Sequence, residues 1–278
     1  MLNKEELKET IAVLLAKNLS FEEMCQEVNL PRYKLIHILT LLKNNPKYIR
    51  DNITSLVIKT SEKVMIISDT HLGSKFENSC YLEMAYQKAQ DEKITTIVHT
   101  GDLLEGMPNA INPFRSYEKQ LEHVIFDYPK YENISTYILL GNHDYKFNIK
   151  GYEVDEIIAK ERNDLKILGF KKGYMKVDDD LISLNHQVSK YHLNIPNYST
   201  IASFLGHSHK VKFNKNNTIY VPTLSDDSIC RVGNKEDKPG FLITTITNSD
   251  ILVEAYQIKK ENSKTVKQII YPRIKTSS

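Results

Sequence analysis

Cysteine is scarce in this sequence, with only three in 278 residues. Cys25, Cys80 and Cys230 lie far apart, and none of them has a Cys-x-x-Cys partner. We therefore expect neither a disulfide framework nor a thiolate zinc site, and the composition is typical of a protein in the reducing cytoplasm. A cytoplasmic protein is accordingly the expected class.

Long apolar runs and a strong charge bias are also missing. No stretch of about 18 apolar residues is present, so we expect no membrane-spanning helix. The net charge of +2 does not by itself select a polyanionic partner. A hydrophobic content of 41% is enough for one large domain and one small domain. We predict a helical domain with its linker at residues 1–60 and a main domain at residues 61–278.

The first fifty residues contain three short amphipathic segments. The second and third, joined at Asn29-Leu30-Pro31, resemble the helix-turn-helix of DNA-binding proteins. The candidate side chains for nucleic acid contact are Arg32, Lys34, His37 and Lys43. Two interpretations stay open: residues 21–50 contact DNA or RNA, or they form the solvated face of an appendage that mediates assembly. Residues 48–60 form either a wing-like strand or a linker.

In the main domain, polar motifs follow five short apolar or β-branched runs. The runs are Val64–Ile67, Ile94–Val98, Thr136–Leu140, Leu181–Leu184 and Ile201–Leu205. The motifs are Ser68-Asp69-Thr70-His71-Leu72-Gly73, Gly101-Asp102, Gly141-Asn142-His143-Asp144, Asn185-His186 and Gly206-His207-Ser208-His209. Helical periodicity around residues 81–90, 117–128 and 152–162 indicates β-α-β units, in which sites lie at the carboxyl ends of the strands.

Five of the nine histidines follow predicted strands, which is not the scatter expected of surface histidines. Histidine, carboxylate and amide ligands without thiolate suit first-row ions such as manganese, iron or zinc. His99 is different, because it lies within its predicted strand, and we expect it to be a packed histidine with its hydrogen bonds satisfied. The strand-end histidines therefore predict a metal site.

The five motifs, in this order, resemble those of the calcineurin-like metallophosphoesterases over about residues 63–245. The resemblance implies an α/β (α+β) fold, a two-sheet β-sandwich flanked by helices, with two divalent ions at the strand ends. It implies that the first ion is held by Asp69, His71 and His209. It implies that the second is held by Asn142, His186 and His207, with Asp102 bridging the two. Manganese is the expected metal, with iron and zinc as alternatives.

One position departs from the family pattern, because His186 is followed by Gln187 where the family usually has glycine. His186 directly follows a predicted strand and is preferred, with His192 kept as an alternative ligand. His143 is not assigned to a metal and is the candidate to protonate the leaving oxygen or to stabilise the charged transition state. Asp144 is predicted either to orient the His143 ring or to be a turn carboxylate.

This chemistry predicts hydrolysis of phosphate esters. A phosphodiesterase or nuclease acting on nucleic acid is the first hypothesis, because the Ser68–Gly73 motif is similar to that of family nucleases in DNA repair. A small-molecule or protein phosphomonoesterase, with N-terminal helices that mediate assembly, is the second. A DNA-binding regulator with a scaffold metallo-domain is the third. The basic stretch 258–278 is expected to be a solvated tail or an edge strand, and the oligomeric state stays open.

Overall fold

The computed structural model describes residues 26–27, 29, 56–178, 180–186, 200–226, 238–259 and 262–272. The strands there are β1 (Leu56–Ile58), β2 (Lys63–Ile67), β3 (Thr96–His99), β4 (Ser135–Leu140), β5 (Leu165–Phe170), β6 (Lys172–Val177), β7 (Asp180–Asn185), β8 (Thr200–Leu205), β9 (Lys212–Phe213), β10 (Thr218–Tyr220), β11 (Gly240–Ile246), β12 (Asp250–Lys259) and β13 (Asn262–Pro272). The longer helices there are α1 (Ser79–Asp91), α2 (Tyr117–Asp127), α3 (Tyr145–Ile149) and α4 (Val154–Glu161).

Two sheets form the framework of the main domain. A seven-stranded sheet has the order β13-β12-β11-β2-β3-β4-β5, and a six-stranded sheet has the order β1-β6-β7-β8-β10-β9. Both combine parallel and antiparallel pairs. The predicted two-sheet architecture with flanking helices is confirmed.

The side-chain alternation of β2 explains how the layers are held together. Val64 and Ile66 are buried in the cluster between the two sheets, whereas Met65 and Ile67 are buried in the cluster beneath the helices. Successive side chains of a strand point to opposite faces, so a strand between two layers must be apolar on both. The helical periodicity predicted for α1 is confirmed as well, since its buried residues are Leu82, Ala85, Tyr86 and Ala89.

Strand direction decides where the motifs lie. β2, β3 and β4 are parallel neighbours in one sheet, and β7 and β8 are parallel neighbours in the other. Parallel neighbours end at the same edge of a sheet, so each sheet presents its motif loops together. Hydrogen bonds join the two sets of loops, including one of 3.0 Å from the His207 amide to Oδ2 of Asp69.

Several segments differ from the sequence-based expectations or resolve them. Leu56–Ile58 is neither a wing nor a linker, because it pairs with β6 as an edge strand of the six-stranded sheet. Asn262–Pro272 is an edge strand, one of the two alternatives for the basic C-terminal stretch. The sequence analysis did not predict α3, β5 or the four strands from β9 to β12. No helix in the described ranges is long and apolar enough to cross a bilayer.

Candidate metal centre

Asp69, His71 and His209 converge although His71 and His209 are 138 positions apart in the chain. Oδ1 of Asp69 lies 3.2 Å from Nε2 of His209 and 3.9 Å from Nε2 of His71, and the two Nε2 atoms lie 3.3 Å apart. The point equidistant from the three atoms is about 2 Å from each, the usual length of a bond from a divalent first-row ion to nitrogen or oxygen. These residues therefore have the geometry to hold one ion.

The Asp69 carboxylate gives an independent reason to expect a cation there. Its Oδ2 is saturated by the Ser68 hydroxyl, at 2.5 Å, and by the His207 amide. Its Oδ1 is buried and accepts no hydrogen bond within the described structure. A buried acceptor without a donor is costly in free energy, and a bound cation would remove that cost.

A second group forms around Asp102, at the end of β3. Nε2 of His186 lies 3.0 Å from Oδ2 of Asp102 and 3.2 Å from Oδ1 of Asn142. A ring nitrogen of His207 completes a set with His186 and Asp102 whose ligand atoms all lie within 4.8 Å of one another. The structure thus brings together the residues that the resemblance assigns to the second ion, including His186. Gln187 and His192 lie outside the described residues.

His143 lies between the two groups. Its amide donates to Oδ1 of Asp102 at 2.8 Å, and its ring packs edge-on against His71 with centroids 4.7 Å apart. A ring nitrogen of His143 also lies within 4.8 Å of ligand atoms of His71 and Asp102. The side chain predicted to protonate the leaving group is therefore next to the candidate ligands.

Glu105 is a site residue that was not predicted from the sequence. Its Oε2 lies 3.3 Å from Nδ1 of His71 and 3.8 Å from Nδ1 of His143, and its backbone oxygen accepts from Nδ1 of His143 at 2.6 Å. The sequence did contain a signal for Glu105 as a site residue, because Glu105 follows Asp102 by three residues in the same strand-end loop. The hydrogen bond to its carbonyl fixes the orientation of the His143 ring, and its carboxylate lies beside the His71 ring.

The expectation that Asp144 orients the His143 ring is corrected by the structure. The fully buried carboxylate of Asp144 instead accepts backbone hydrogen bonds from Gly141, Leu103 and Leu104 at 2.7, 3.2 and 2.8 Å. The ring contact belongs to the Glu105 carbonyl. Burial raises the pKa of Asp144 to about 6, with a further increase from the charge of Asp102. Asp144 is thus a loop carboxylate, the other alternative raised by the sequence.

The prediction for His99 is confirmed. The Thr70 hydroxyl donates to the Leu103 carbonyl at 2.9 Å, so it accepts from Nε2 of His99 at 3.0 Å. Nδ1 of His99 then accepts from the Gly101 amide at 3.2 Å. Burial lowers the pKa of His99 to about 3, which keeps this fully paired ring neutral.

The protein's own charges partly balance one another in the centre. Burial alone would raise the pKa of Asp69, but the charge of His209, together with the charges of His186 and His71, holds that pKa well below its ordinary value. Burial would lower the pKa of His186, but the hydrogen bond that His186 donates to Asp102 and the charges of Asp69 and Asp102 raise it to about 9. Burial and then the charge of His186 lower the pKa of His207. The field of the carboxylates therefore favours positive charge at this place.

The backbone is strained where the motif loops turn. Left-handed φ angles between 46° and 66° occur at Asp69, His71, Asp102, His207 and His209. Residues other than glycine adopt this region at a cost of order 1 kcal/mol or more each. Such residues cluster at functional sites. These left-handed turns direct the five polar side chains towards the candidate metal centre.

Close approach of the loops also depends on glycine. A Cβ on Gly141 would lie 2.2 Å from Oδ1 of Asp102 and 2.8 Å from Nε2 of His186. A Cβ on Gly101 would lie 2.2 Å from Nδ1 of His186. These distances are below any ordinary contact, so the glycines are required for the second group to assemble.

Changing Gly141 to Ala is expected to displace Asp102 and lower metal affinity by roughly tenfold to a hundredfold, as for other disturbed ligand supports. Gly151→Ala is the control, because a Cβ there meets nothing within 4 Å and only the φ of 89° is unfavourable. That control is expected to cost about 1 kcal/mol of stability and to leave metal affinity unchanged. Metal titration and urea unfolding of both variants measure the two effects. Equal metal affinity in the two variants would remove the steric role of Gly141.

The predicted nucleic acid contacts Arg32, Lys34, His37 and Lys43 lie outside the described residues. The helix-turn-helix interpretation, and contact through residues 21–50, therefore remain predictions from the sequence alone.

Solved structures that are similar to this chain include the following three. They are a phosphoesterase, Yfce, from E. coli (16% identity, 74% of this chain and 98% of that one, TM-score 0.46), an archaeal phosphodiesterase (16%, 75% and 99%, TM-score 0.40) and vacuolar protein sorting 29 from Cryptosporidium parvum (15%, 76% and 98%, TM-score 0.43). No curated protein matches the sequence.

A comparison with family profiles gives the clearer result. The profile described as calcineurin-like phosphoesterase matches residues 62–228, a range that covers more than half of the chain. The range contains all five motifs and both ligand groups. The chain belongs to the calcineurin-like phosphoesterase family.

Proposed function

We propose that this protein is a dinuclear metal-dependent phosphodiesterase that acts on nucleic acid. The observation that carries the proposal is the position of Asp102. Its carboxylate takes part in the group with His71 and His143 and in the group with His186 and His207, and so it lies between the two candidate ion positions. A carboxylate there offsets the repulsion between two cations.

The residues present fit two ions. The first would be held by Asp69, His71 and His209, where the buried Oδ1 of Asp69 accepts no hydrogen bond. The second would be held by Asn142, His186 and His207, with Asp102 shared. Imidazole, carboxylate and amide ligands suit first-row ions, and manganese is the metal proposed, with iron and zinc as alternatives. When bound, two such ions supply Lewis acidity and activate water at neutral pH.

The chain's own groups supply the proton transfer. Nδ1 of His143 is 2.6 Å from the Glu105 carbonyl oxygen, which can only accept, so this nitrogen carries a proton. Nε2 is then the nitrogen that can exchange a proton with the substrate. A protonated Nε2 would donate to the oxygen that leaves phosphorus.

Lysines on both sides of the centre support a polyanionic substrate. Lys172, at the start of β6, is paired in register with Asn185, just before His186. Lys212, in β9, lies on the other side, beyond β8 and β10. The two strands stand roughly 19 Å apart at the usual strand spacing, with His186, His207 and His209 between them. Residues 206–221 contain three lysines and no acid.

Aromatic rings accompany these lysines. Nζ of Lys172 lies 5.5 Å from the ring centroid of Tyr174, and Nζ of Lys212 lies 5.7 Å from that of Tyr220. Lysines interleaved with aromatic rings are typical of proteins that bind single-stranded nucleic acid. Tyr174 is buried and Tyr220 is partly exposed, so only the Tyr220 ring could stack on a base, and the case for a polynucleotide over a small monoester rests on the lysine charges.

A substrate panel tests the proposed function. Purified full-length protein, stripped with EDTA, is expected to hydrolyse no ester, and added Mn²⁺ is expected to restore cleavage of single-stranded DNA or RNA and of bis(p-nitrophenyl) phosphate. The measurement is product formation from labelled polynucleotides and from diester and monoester chromogens. Cleavage of p-nitrophenyl phosphate alone, without loss of polynucleotide, would instead identify a phosphomonoesterase.

A further inference from the structure

The side chain of Lys146 lies beside His143, the candidate proton donor, and forms no salt bridge with a carboxylate of the described residues. It occupies the first turn of α3, and its Nζ is 3.2 Å from Nδ1 of His143. Gly106 allows the close approach of the His143 backbone, because a Cβ on Gly106 would lie 2.1 Å from the His143 carbonyl oxygen. The Lys146 side chain is half-buried and not free in solvent.

The hydrogen bonds of His143 leave the Lys146 ammonium without an acceptor. One imidazole nitrogen offers either a proton or a lone pair, never both. Nδ1 of His143 must offer its proton to the Glu105 carbonyl at 2.6 Å. The Lys146 ammonium, which only donates, therefore faces a second donor at 3.2 Å. The short approach is not a hydrogen bond between the two side chains.

No carboxylate of the described residues forms a salt bridge with Lys146. Burial lowers the pKa of Lys146, while the charges of Glu105, Asp102 and Asp144 raise it, so three carboxylates favour the charged form from a distance. A half-buried ammonium with up to three unused donors is stabilised by any anionic oxygen that enters the site.

We propose that the Lys146 ammonium binds a non-bridging oxygen of the substrate's phosphoryl group, which makes Lys146 a catalytic residue of this site. The inference rests on the proposed function, because it places the reacting phosphoryl group between Asp102 and His143. A lysine there adds a point charge where negative charge develops, and it needs no reorganisation during the reaction.

A competing role would be purely internal to the protein. The charge of Lys146 contributes to lowering the pKa of His143. If that were its only role, Lys146 would act through the imidazole and would not touch the substrate. A binding measurement that involves no proton transfer separates the two roles.

The experiment measures the affinity of inorganic phosphate for the full-length Mn²⁺-loaded protein by calorimetry. Lys146→Met keeps the length of the side chain and removes its charge. Lys150→Met is the matched control, because Lys150 is exposed at the end of the same helix. Metal content is determined for each variant, so that a loss of ions is not mistaken for a loss of the ammonium.

We expect Lys146→Met to weaken phosphate binding by about tenfold or more, as the loss of one charge-assisted hydrogen bond would. The kcat/KM for bis(p-nitrophenyl) phosphate should fall at least as much, whereas Lys150→Met should match the wild type in both. Wild-type phosphate affinity in Lys146→Met, with or without a change in kcat, would overturn the inference. If the wild type hydrolyses no ester, the proposed function fails, but the phosphate titration still tests Lys146 separately.

Discussion

Replacing Asp102 by asparagine is expected to abolish turnover, with a fall in kcat of at least about a thousandfold. The amide keeps the shape of the carboxylate, and its oxygen can still accept from the His143 amide. It loses the negative charge that faces Nε2 of His186 at 3.0 Å and that would lie between two cations. Metal content should fall from two ions per chain to one or fewer.

Elemental analysis and the turnover of bis(p-nitrophenyl) phosphate measure the two effects in the same preparation. Asp91→Asn serves as the control, because this exposed carboxylate at the end of α1 contacts Gln87 and not the centre. Two ions and wild-type turnover in Asp102→Asn would show that the carboxylate does not bridge metals. The assignment of the dinuclear centre would then have to be withdrawn.

The second large effect is expected from His143→Ala. We expect two ions per chain to be retained while kcat falls by about a hundredfold to ten-thousandfold, the range of general acid catalysis. The reason is that the imidazole lies next to the ligands and is held by the Glu105 carbonyl, but is not needed to bind either ion. Metal analysis and kcat together measure this separation.

The basicity of the leaving oxygen makes the test of His143 sharper. p-Nitrophenolate leaves with little help from a proton, whereas the alkoxide of a nucleotide sugar needs one. The defect of His143→Ala should therefore be larger on a dinucleotide than on bis(p-nitrophenyl) phosphate. Equal defects on the two substrates would contradict the role as proton donor and would favour electrostatic stabilisation alone.

The two variants separate binding of the ions from transfer of the proton. Asp102→Asn should lose both metal and activity, whereas His143→Ala should lose activity alone. Lys146→Met should lose phosphate affinity with the metal retained. Each side chain thus has its own readout, although Asp102 and His143 share a hydrogen bond of 2.8 Å.

The metal-ligand candidates were accessible from sequence because their positions depend on local signals. Asp69 and Asn142 follow apolar β runs, and such a run predicts both the strand and the place where it ends. Parallel strands then have only one edge at which these ends can meet. The two-sheet fold and the grouping of Asp69 with His71 and His209 came instead from the family resemblance, because Asp69 and His209 follow strands of different sheets.

The roles of Glu105, Asp144 and Lys146 could not be obtained in that way. Each depends on the path of a loop, and loop paths are set by contacts between residues far apart in the chain. Asp144 illustrates this, since it holds the amides of Leu103 and Leu104, about forty residues earlier. Its position beside His143 in the sequence indicated a ring contact that the backbone hydrogen bonds replace.

Local patterns thus located the strand ends, and the order of the motifs there carried the resemblance that implied the family and the donor set of a two-ion site. The tertiary structure decided which side chains face one another, and with what charge. Gly101 and Gly141 let two loops approach to a distance that a Cβ would prevent, and burial brings the carboxylates and imidazoles into one environment of low dielectric. In that environment Lys146 is left as a donor without an acceptor, because a hydrogen bond from His143 to the Glu105 carbonyl uses the only proton that Nδ1 has.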